Sequence, residues 1–192
     1  MAPDGIRKFN VIVAACANGG IGLNGGMPWN LKGDMKQFAR LTTLTQDPLK
    51  KNAVIMGRKT WFAIPEKHRP LKNRINVVIS GTLSGLAPPT YQAGSIEEAL
   101  TLLTVAPLRD EVENVWIIGG QSLYQHAMAS SSLGKVYFTR ILREFECDAF
   151  FPVAALEKME KTEEDVGLPA GEQEDNGVPY RFEVYSAVEG LN

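Results

Sequence analysis

The stretch "FNVIVAACANGGIGLNGGMPW", Phe9 to Trp29, decides the fold. Its first half is apolar, β-branched and short, which reads as a strand buried on both faces. In its second half Gly20, Gly22 and Gly25 spell G-x-G-x-x-G, the spacing that seats a pyrophosphate on a helix N-terminus. That fingerprint needs a helix to open at once, yet Gly26 is followed by Met27, Pro28 and Trp29. It also needs an acid at the end of the next strand, and that strand starts only at Asn52. The glycines therefore read as a mobile loop. It is either a flexible surface connection or a lid, with Met27 and Trp29 supplying apolar faces to cover a site.

Working outward, similar apolar runs recur at Asn52 to Met56, Ile75 to Ser80, Asn114 to Ile118 and Lys135 to Ile141. Helical spacing occupies Leu31 to Leu41, Ser95 to Thr104 and Ser122 to Ser130, and Ser95 with Glu98 forms a capping-box pair. Strands alternating with helices predict an α/β protein with a mostly parallel sheet. The tail, Tyr180 to Val188, alternates apolar and polar residues and predicts an antiparallel edge strand, reached through a polar loop or hairpin from Gly167 to Gly177. The chain of 192 residues is expected to form one domain, residues 1–192.

Net charge is -2, which leaves no basic footprint for nucleic acid as a primary partner. The two cysteines, Cys16 and Cys147, lie far apart without metal spacing, and His68 and His126 are the only histidines, so neither a disulfide framework nor a metal site is signalled. A reduced, cytoplasmic protein is the default. Arg7 and Lys8 before "FNVIVAACA" loosely resemble a signal peptide, but a buried first strand explains the same run. No apolar stretch is long enough to cross a membrane.

Two features carry chemistry. Leu31, Asp34, Phe38 and Leu41 fall on one helical stripe, which places a carboxylate on an apolar face. A first-turn acid behind an Asn30 N-cap is the plain alternative. Desolvation would raise the Asp34 pKa and the helix N-terminus would lower it, and the sequence leaves that balance open. Gly57, Arg58, Lys59 and Thr60 follow one strand, and Gly119 and Gly120 follow another just before a helix. Both turns suit phosphate groups laid across the C-terminal ends of strands, although a solvated turn and a packing turn are the bland readings.

The ordered set "GIGLNGGMPW", Asp34, "VIMGRKTW", "IPEKHRPLKNRIN", "WIIGGQSLY" and "FECDAFFP" resembles dihydrofolate reductase, from about Phe9 through Tyr185. The resemblance implies a central eight-stranded mixed sheet with an antiparallel C-terminal strand and four flanking helices. It also implies an adenosine-binding lobe from about Leu44 to Pro107. The reaction it implies is NADPH-dependent reduction of 7,8-dihydrofolate, with hydride transfer to C6 and protonation of N5, in a monomer that antifolates inhibit.

By the same resemblance Asp34 holds the pteridine N3 and 2-amino group, Trp29 steadies a water near it, and Thr139 orients it. Ile12, Val13, Met35, Phe38, Ile64, Leu71 and Ile118 line the substrate cleft, and Arg74 clamps the α-carboxylate of the glutamate tail. For the cofactor, Ala14, Ile21, Gly22, Gly25 and Ile118 flank the nicotinamide. Gly57, Arg58, Lys59 and Thr60 form one phosphate turn, and Gly119, Gly120, Gln121, Ser122, Leu123 and Tyr124 form the second. A cis bond is expected at Gly119–Gly120, and Asp148 matches an acid that tethers the lid near Gly22.

The chain departs from the pattern at several places. Gly81 after Ser80, and Gly94, stand where relatives often carry cations for the 2′-phosphate, so preference for NADPH leans on Arg58 and Ser80. Ala149 replaces a usual threonine. Met35 stands where vertebrate relatives have an aromatic, and the acid is Asp rather than Glu. Two other readings compete with it: a reductase of the same fold with another pterin-like or pyrimidine substrate, which needs neither Asp34 nor Arg74, and a non-catalytic binding module, which predicts loss of the acid or lid. All of these elements are present.

Overall fold

The structure is a computed structural model that describes residues 7–163 and 167–188. The predicted buried strands form as β1 (Phe9–Ala15), β3 (Lys51–Gly57), β4 (Arg74–Ile79), β6 (Val112–Ile117) and β7 (Leu133–Ile141). Between them lie α1 (Lys32–Thr43), α2 (Arg58–Ala63), α3 (Ile96–Leu102) and α5 (Gln121–Met128). A single-turn helix, α4 (Leu108–Glu111), is added to the four flanking helices expected. The Ser95 half of the capping box forms, its hydroxyl accepting from the Glu98 N–H at 3.0 Å, while the Glu98 carboxylate reaches one residue further back to the Gly94 N–H at 2.7 Å.

The shorter strands β2 (Gly20–Gly22), β5 (Thr90–Ala93), β8 (Ala149–Phe150), β9 (Met159–Thr162) and β10 (Glu172–Asp175) precede β11 (Val178–Ala187) or lie between the longer ones. The main sheet runs β10-β11-β7-β1-β6-β3-β4-β5, with β9 pairing β11 off this eight-strand path. Pairings from β7 through β5 are parallel, and every pairing of β11 is antiparallel.

The edge position expected for the last strand is corrected. β11 is interior, because β10 pairs Val178 to Arg181 and β9 pairs Val184 to Ala187 along its outer side. The polar stretch before it folds back as a hairpin, with Asn176 at φ 51 and Gly177 at φ 72 making the turn. Two adjacent positive φ values suit a tight hairpin connection, which is why Asn-Gly stands there.

Period-two alternation in β1 splits the core between the two faces of the sheet. Val11, Val13 and Ala15 pack with the α3 and α5 side, among Leu100, Leu103 and Ala127. Ile12 faces the other layer with Val54, Met56, Trp116 and Leu41 of α1. Ile55 and Ile117 are fully buried, and truncating either to alanine costs about 2–5 kcal/mol. That rigid centre carries α1 and the C-terminal strand ends of β3 and β6, where the candidate site lies.

Candidate active site

Leu31 is buried in α1's apolar contact, and Phe38 and Leu41 pack on the sheet, so Asp34 on the same stripe faces inward. A narrow cavity beside it is bounded by Ile12, Phe38, Tyr137, Thr139 and Phe182 among others. The Thr139 hydroxyl on β7 donates to Asp34 Oδ1 at 2.6 Å. Thr139 is placed there by the sheet register, in which it pairs Ala14 of β1 and Phe182 of β11.

Burial raises the Asp34 pKa above the ordinary carboxylate range, the Thr139 hydrogen bond pulls it down, and the charge of Asp175 adds to the rise. Desolvation outweighs the Thr139 hydrogen bond, so the net shift is upward. Asn30 does not cap the helix. The N-cap is Leu31, which offers no side-chain bond, and the first turn is instead served by Asp175, whose Oδ2 accepts from the Gly33 N–H at 2.7 Å. The Asn30 carbonyl accepts from Asn176 Nδ2 at 2.7 Å.

Trp29 is buried edge-on to Phe145, with ring centroids 5.5 Å apart. Its indole Nε1 has no acceptor among the described residues. A buried N–H without a protein acceptor calls for a water or a ligand atom. Arg74 is buried too, and burial lowers its pKa. Its Nη1 donates to Thr42 Oγ1 at 2.9 Å and its Nε to the Lys72 carbonyl at 2.9 Å. These two bonds fix the guanidinium plane.

Of the expected cleft residues, Phe38, Ile64, Leu71 and Ile118 are partly buried against the cluster that contains Ile12. Met35 is about half exposed, at 45%. Val13 differs, because alternation turns its side chain into the opposite core layer, away from Asp34. Any contact it makes with a ligand in this cleft goes through its backbone.

The two glycine turns lie side by side at adjacent strand ends, joined by a 2.8 Å hydrogen bond from the Gly57 N–H to the Gly119 carbonyl. The Gly119–Gly120 bond is cis, as expected, and Gly119 has φ 120. A side chain at Gly119 would meet the Tyr124 ring at 3.2 Å, and one at Gly120 would meet Thr60 Oγ1 at 3.3 Å. The positive φ together with the Tyr124 ring favours glycine at 119, and Gly120 leaves room beside Thr60. Arg58 and Lys59 are exposed at the start of α2 and share an open groove with Gly25, Phe62 and Ala63. Gln121 and Ser122 are exposed at the start of α5, while Leu123 and Tyr124 are buried. The Tyr124 hydroxyl is already committed, donating to the Ile12 carbonyl at 2.8 Å, and burial raises its pKa.

The glycine loop is anchored. Asn24 and Gly25 form a tight turn closed by paired bonds between Leu23 and Gly26, and β2 pairs β8. Asp148 ties it twice: its N–H donates to the Gly22 carbonyl at 2.9 Å, and its Oδ2 accepts from the Asn24 N–H at 2.9 Å. Ile21 is half-buried on the core. Ser80 accepts from the Thr82 and Leu83 N–H groups, and Glu98 Oε2 accepts from the Gly94 N–H, which sets a carboxylate beside that glycine.

Parallel strand ends that present backbone beside a half-buried, hydrogen-bonded carboxylate define an α/β protein with a candidate ligand cleft at the C-terminal ends of its strands. Comparison with known proteins narrows that class. The family model described as dihydrofolate reductase matches residues 8–187. Dihydrofolate reductase of Aedes albopictus is 45% identical over 95% of this chain and 99% of its own. That of Sus scrofa is 47% identical over 94% of this chain and 98% of its own. Among solved structures, Schistosoma mansoni dihydrofolate reductase superposes with a TM-score of 0.85 at 40% identity, covering 95% of this chain and 100% of that one. The chain belongs to the dihydrofolate reductase family, and it reduces dihydrofolate to tetrahydrofolate.

Sequence reasoning missed the hairpin residues Asp175, Asn176 and Tyr180 as neighbours of the site. The Asp-Asn-Gly turn signal was available, but its docking on a helix 142 residues away was not. It also missed that Cys16 and Cys147 meet: both are free thiols, with sulfurs 4.0 Å apart beside the loop anchor.

Proposed function

We propose that NADPH is the hydride donor, and that Asp34 binds the pteridine edge and promotes protonation of N5. The observation that carries this reading is the half-buried, inward-facing Asp34 carboxylate, locked by Thr139 and raised in proton affinity by desolvation. An acceptor carboxylate there fixes the N3 and 2-amino donors in one orientation. The same negative charge favours positive charge developing near N5. When bound, the nicotinamide supplies the hydride for C6. Trp29, with its uncommitted indole N–H, holds a water beside the acid.

Ile12, Met35, Phe38, Ile64, Leu71 and Ile118 hold the flat ring by dispersion, with Val13 contributing backbone alone. Arg74, already oriented by Thr42 and Lys72, takes the α-carboxylate of the glutamate tail. Ala14, Ile21, Gly22, Gly25 and Ile118 border the nicotinamide. Gly57 to Thr60 and Gly119 to Tyr124 carry the phosphates, with Ser80 and Arg58 facing the 2′-phosphate. The Ser80 oxygen accepts from two backbone N–H groups, which leaves its own hydrogen free to donate. Residues 44–107 form the adenosine side of a single domain. The site also takes antifolates. We read the protein as a cytoplasmic monomer, in keeping with its two free thiols and with exposed apolar residues drawn from separate segments.

The deciding experiment is an absorbance assay of NADPH oxidation with dihydrofolate, run beside NADH. Faster turnover with NADPH, and a ratio that narrows in Arg58→Ala, is the expected outcome; equal use of both cofactors would overturn the NADPH assignment. Arg74→Leu should raise the dihydrofolate KM and leave cofactor affinity unchanged, and an unaltered KM removes the tail-clamp role.

A further inference from the structure

The first turn of α1, which carries Asp34, does not hold itself. Its N-cap Leu31 offers no side-chain acceptor, and the Gly33 N–H is satisfied by Asp175 at the end of β10. The same Asp175 Oδ2 accepts from the Tyr180 hydroxyl at 2.9 Å, and the neighbouring Asn176 amide holds the Asn30 carbonyl at 2.7 Å. The fit is close: a Cβ at Gly33 would come within 2.2 Å of the Tyr180 hydroxyl and 3.0 Å of Asp175 Oδ2. So the hairpin grips the helix one residue before the acid, from both sides of its N-cap.

We propose that Asp175 is a positioning residue for the reductase reaction: through the first turn of α1 it sets where the Asp34 carboxylate lies, and its charge sets how readily that carboxylate takes a proton. An anion placed beside a buried acid disfavours the acid's ionised form. The effect is directed at Asp34 because, among the described residues, the other groups named around it are neutral, committed or exposed. Thr139 of β7 gives a hydrogen bond, and Tyr124 of α5 and Tyr180 of β11 are both held neutral by burial. Glu183 of β11 is paired with Arg140, Arg181 and Lys161. On α1 itself Lys32 and Lys36 are exposed to solvent, where screening weakens them.

A cap that is only structural and a charge that tunes the acid predict different results. Asp175→Asn keeps an oxygen to accept from Gly33 and Tyr180 but removes the charge. Its thermal midpoint should stay close to that of the parent, while the midpoint of the kcat–pH profile moves to lower pH. At mildly alkaline pH, kcat should fall by about threefold. Tyr180→Phe removes the hydroxyl that damps Asp175, so the same midpoint should move the opposite way. Carboxyl-labelled aspartate resonances, titrated in the protein without ligands, read the Asp34 midpoint independently of turnover and should show both displacements. Profiles of Asp175→Asn and Tyr180→Phe that overlay the parent overturn the proposal, even if melting temperatures change. Should Asp175→Asn fail to fold, the Tyr180→Phe titration decides alone.

Discussion

Thr139 and Asp34, 105 residues apart in the chain, meet through a 2.6 Å hydrogen bond that crosses from the sheet to the first turn of α1. The bond favours the ionised acid while burial opposes it, so the two partly cancel. Thr139→Val removes only the favourable part. The Asp34 proton affinity should then rise further, and the midpoint of the kcat–pH profile should move to higher pH. A profile unchanged by Thr139→Val would show that the hydroxyl does not govern the acid.

Removing the carboxylate itself separates chemistry from stability. In Asp34→Asn, turnover should drop most near and above neutral pH and less at low pH, where substrate arrives already protonated. Stability should move the other way. A carboxyl whose pKa is raised by folding is ionised at a cost that is present above that raised value and absent below the unfolded value. The amide should therefore raise stability at neutral pH and not in acid, read from urea midpoints at both. Equal loss of turnover at every pH would remove the proton role.

Gly33 is fixed by an approach rather than by a dihedral angle. Its Cα faces the Tyr180 hydroxyl so closely that an added methyl would lie 2.2 Å from it, and Tyr180 is itself buried and unable to retreat. Gly33→Ala should therefore destabilise by about 1–3 kcal/mol although alanine is the better helix former. In Gly33→Ala/Tyr180→Phe the nearest remaining atom is Asp175 Oδ2 at 3.0 Å, so part of the loss should return. A strictly additive double-mutant cycle would show that the two residues do not touch in solution.

What could be read before the structure followed from burial on two faces. β1, β3, β4, β6 and β7 announce themselves as apolar runs because both sides of a central parallel strand are covered. β2, β8, β9 and β10 carry too few residues, or too many polar ones, to show a period, so the last strand looked like an edge when it is interior. Asp34 was visible because one carboxylate interrupts an apolar stripe. Thr139 and Arg74 needed the family resemblance, since each alone reads as ordinary. Asp175 was invisible because a cap supplied from a distant hairpin leaves no local pattern.

The cysteine pair makes the same point and is open to test. Cys16 and Cys147 meet at 4.0 Å although 131 residues separate them. Burial, followed by the neighbouring Cys16, pushes the Cys147 thiol up to about 11. Because the thiolate is the reactive form, its fraction at neutral pH is roughly a hundredfold below that of a free cysteine. Thiol reagents should label the native protein slowly and the urea-unfolded protein fast. Labelling at the unfolded rate in native buffer would contradict the burial.

Glu183 is expected to contribute to the acid limit of stability. Its side chain is only 2% exposed and is bonded by Arg140 Nη2 at 2.9 Å, Arg181 Nε at 2.8 Å and the Tyr185 hydroxyl at 2.6 Å, with Lys161 Nζ at 3.4 Å. Burial alone would raise its pKa, but the bonds from Arg140, Tyr185 and Arg181 outweigh it and bring the value from the ordinary 4.5 down to about 2. A depressed carboxylate contributes stability in full above its unfolded pKa and loses it as pH falls toward the folded one. Denaturant midpoints should therefore decline between about pH 5 and pH 2, and Glu183→Gln should flatten that decline. The substitution should also cost about 3 kcal/mol at neutral pH, because it leaves Arg140 beside the sheet without its counter-charge. A Glu183→Gln protein whose acid decline matches that of the parent would assign the loss to other carboxylates.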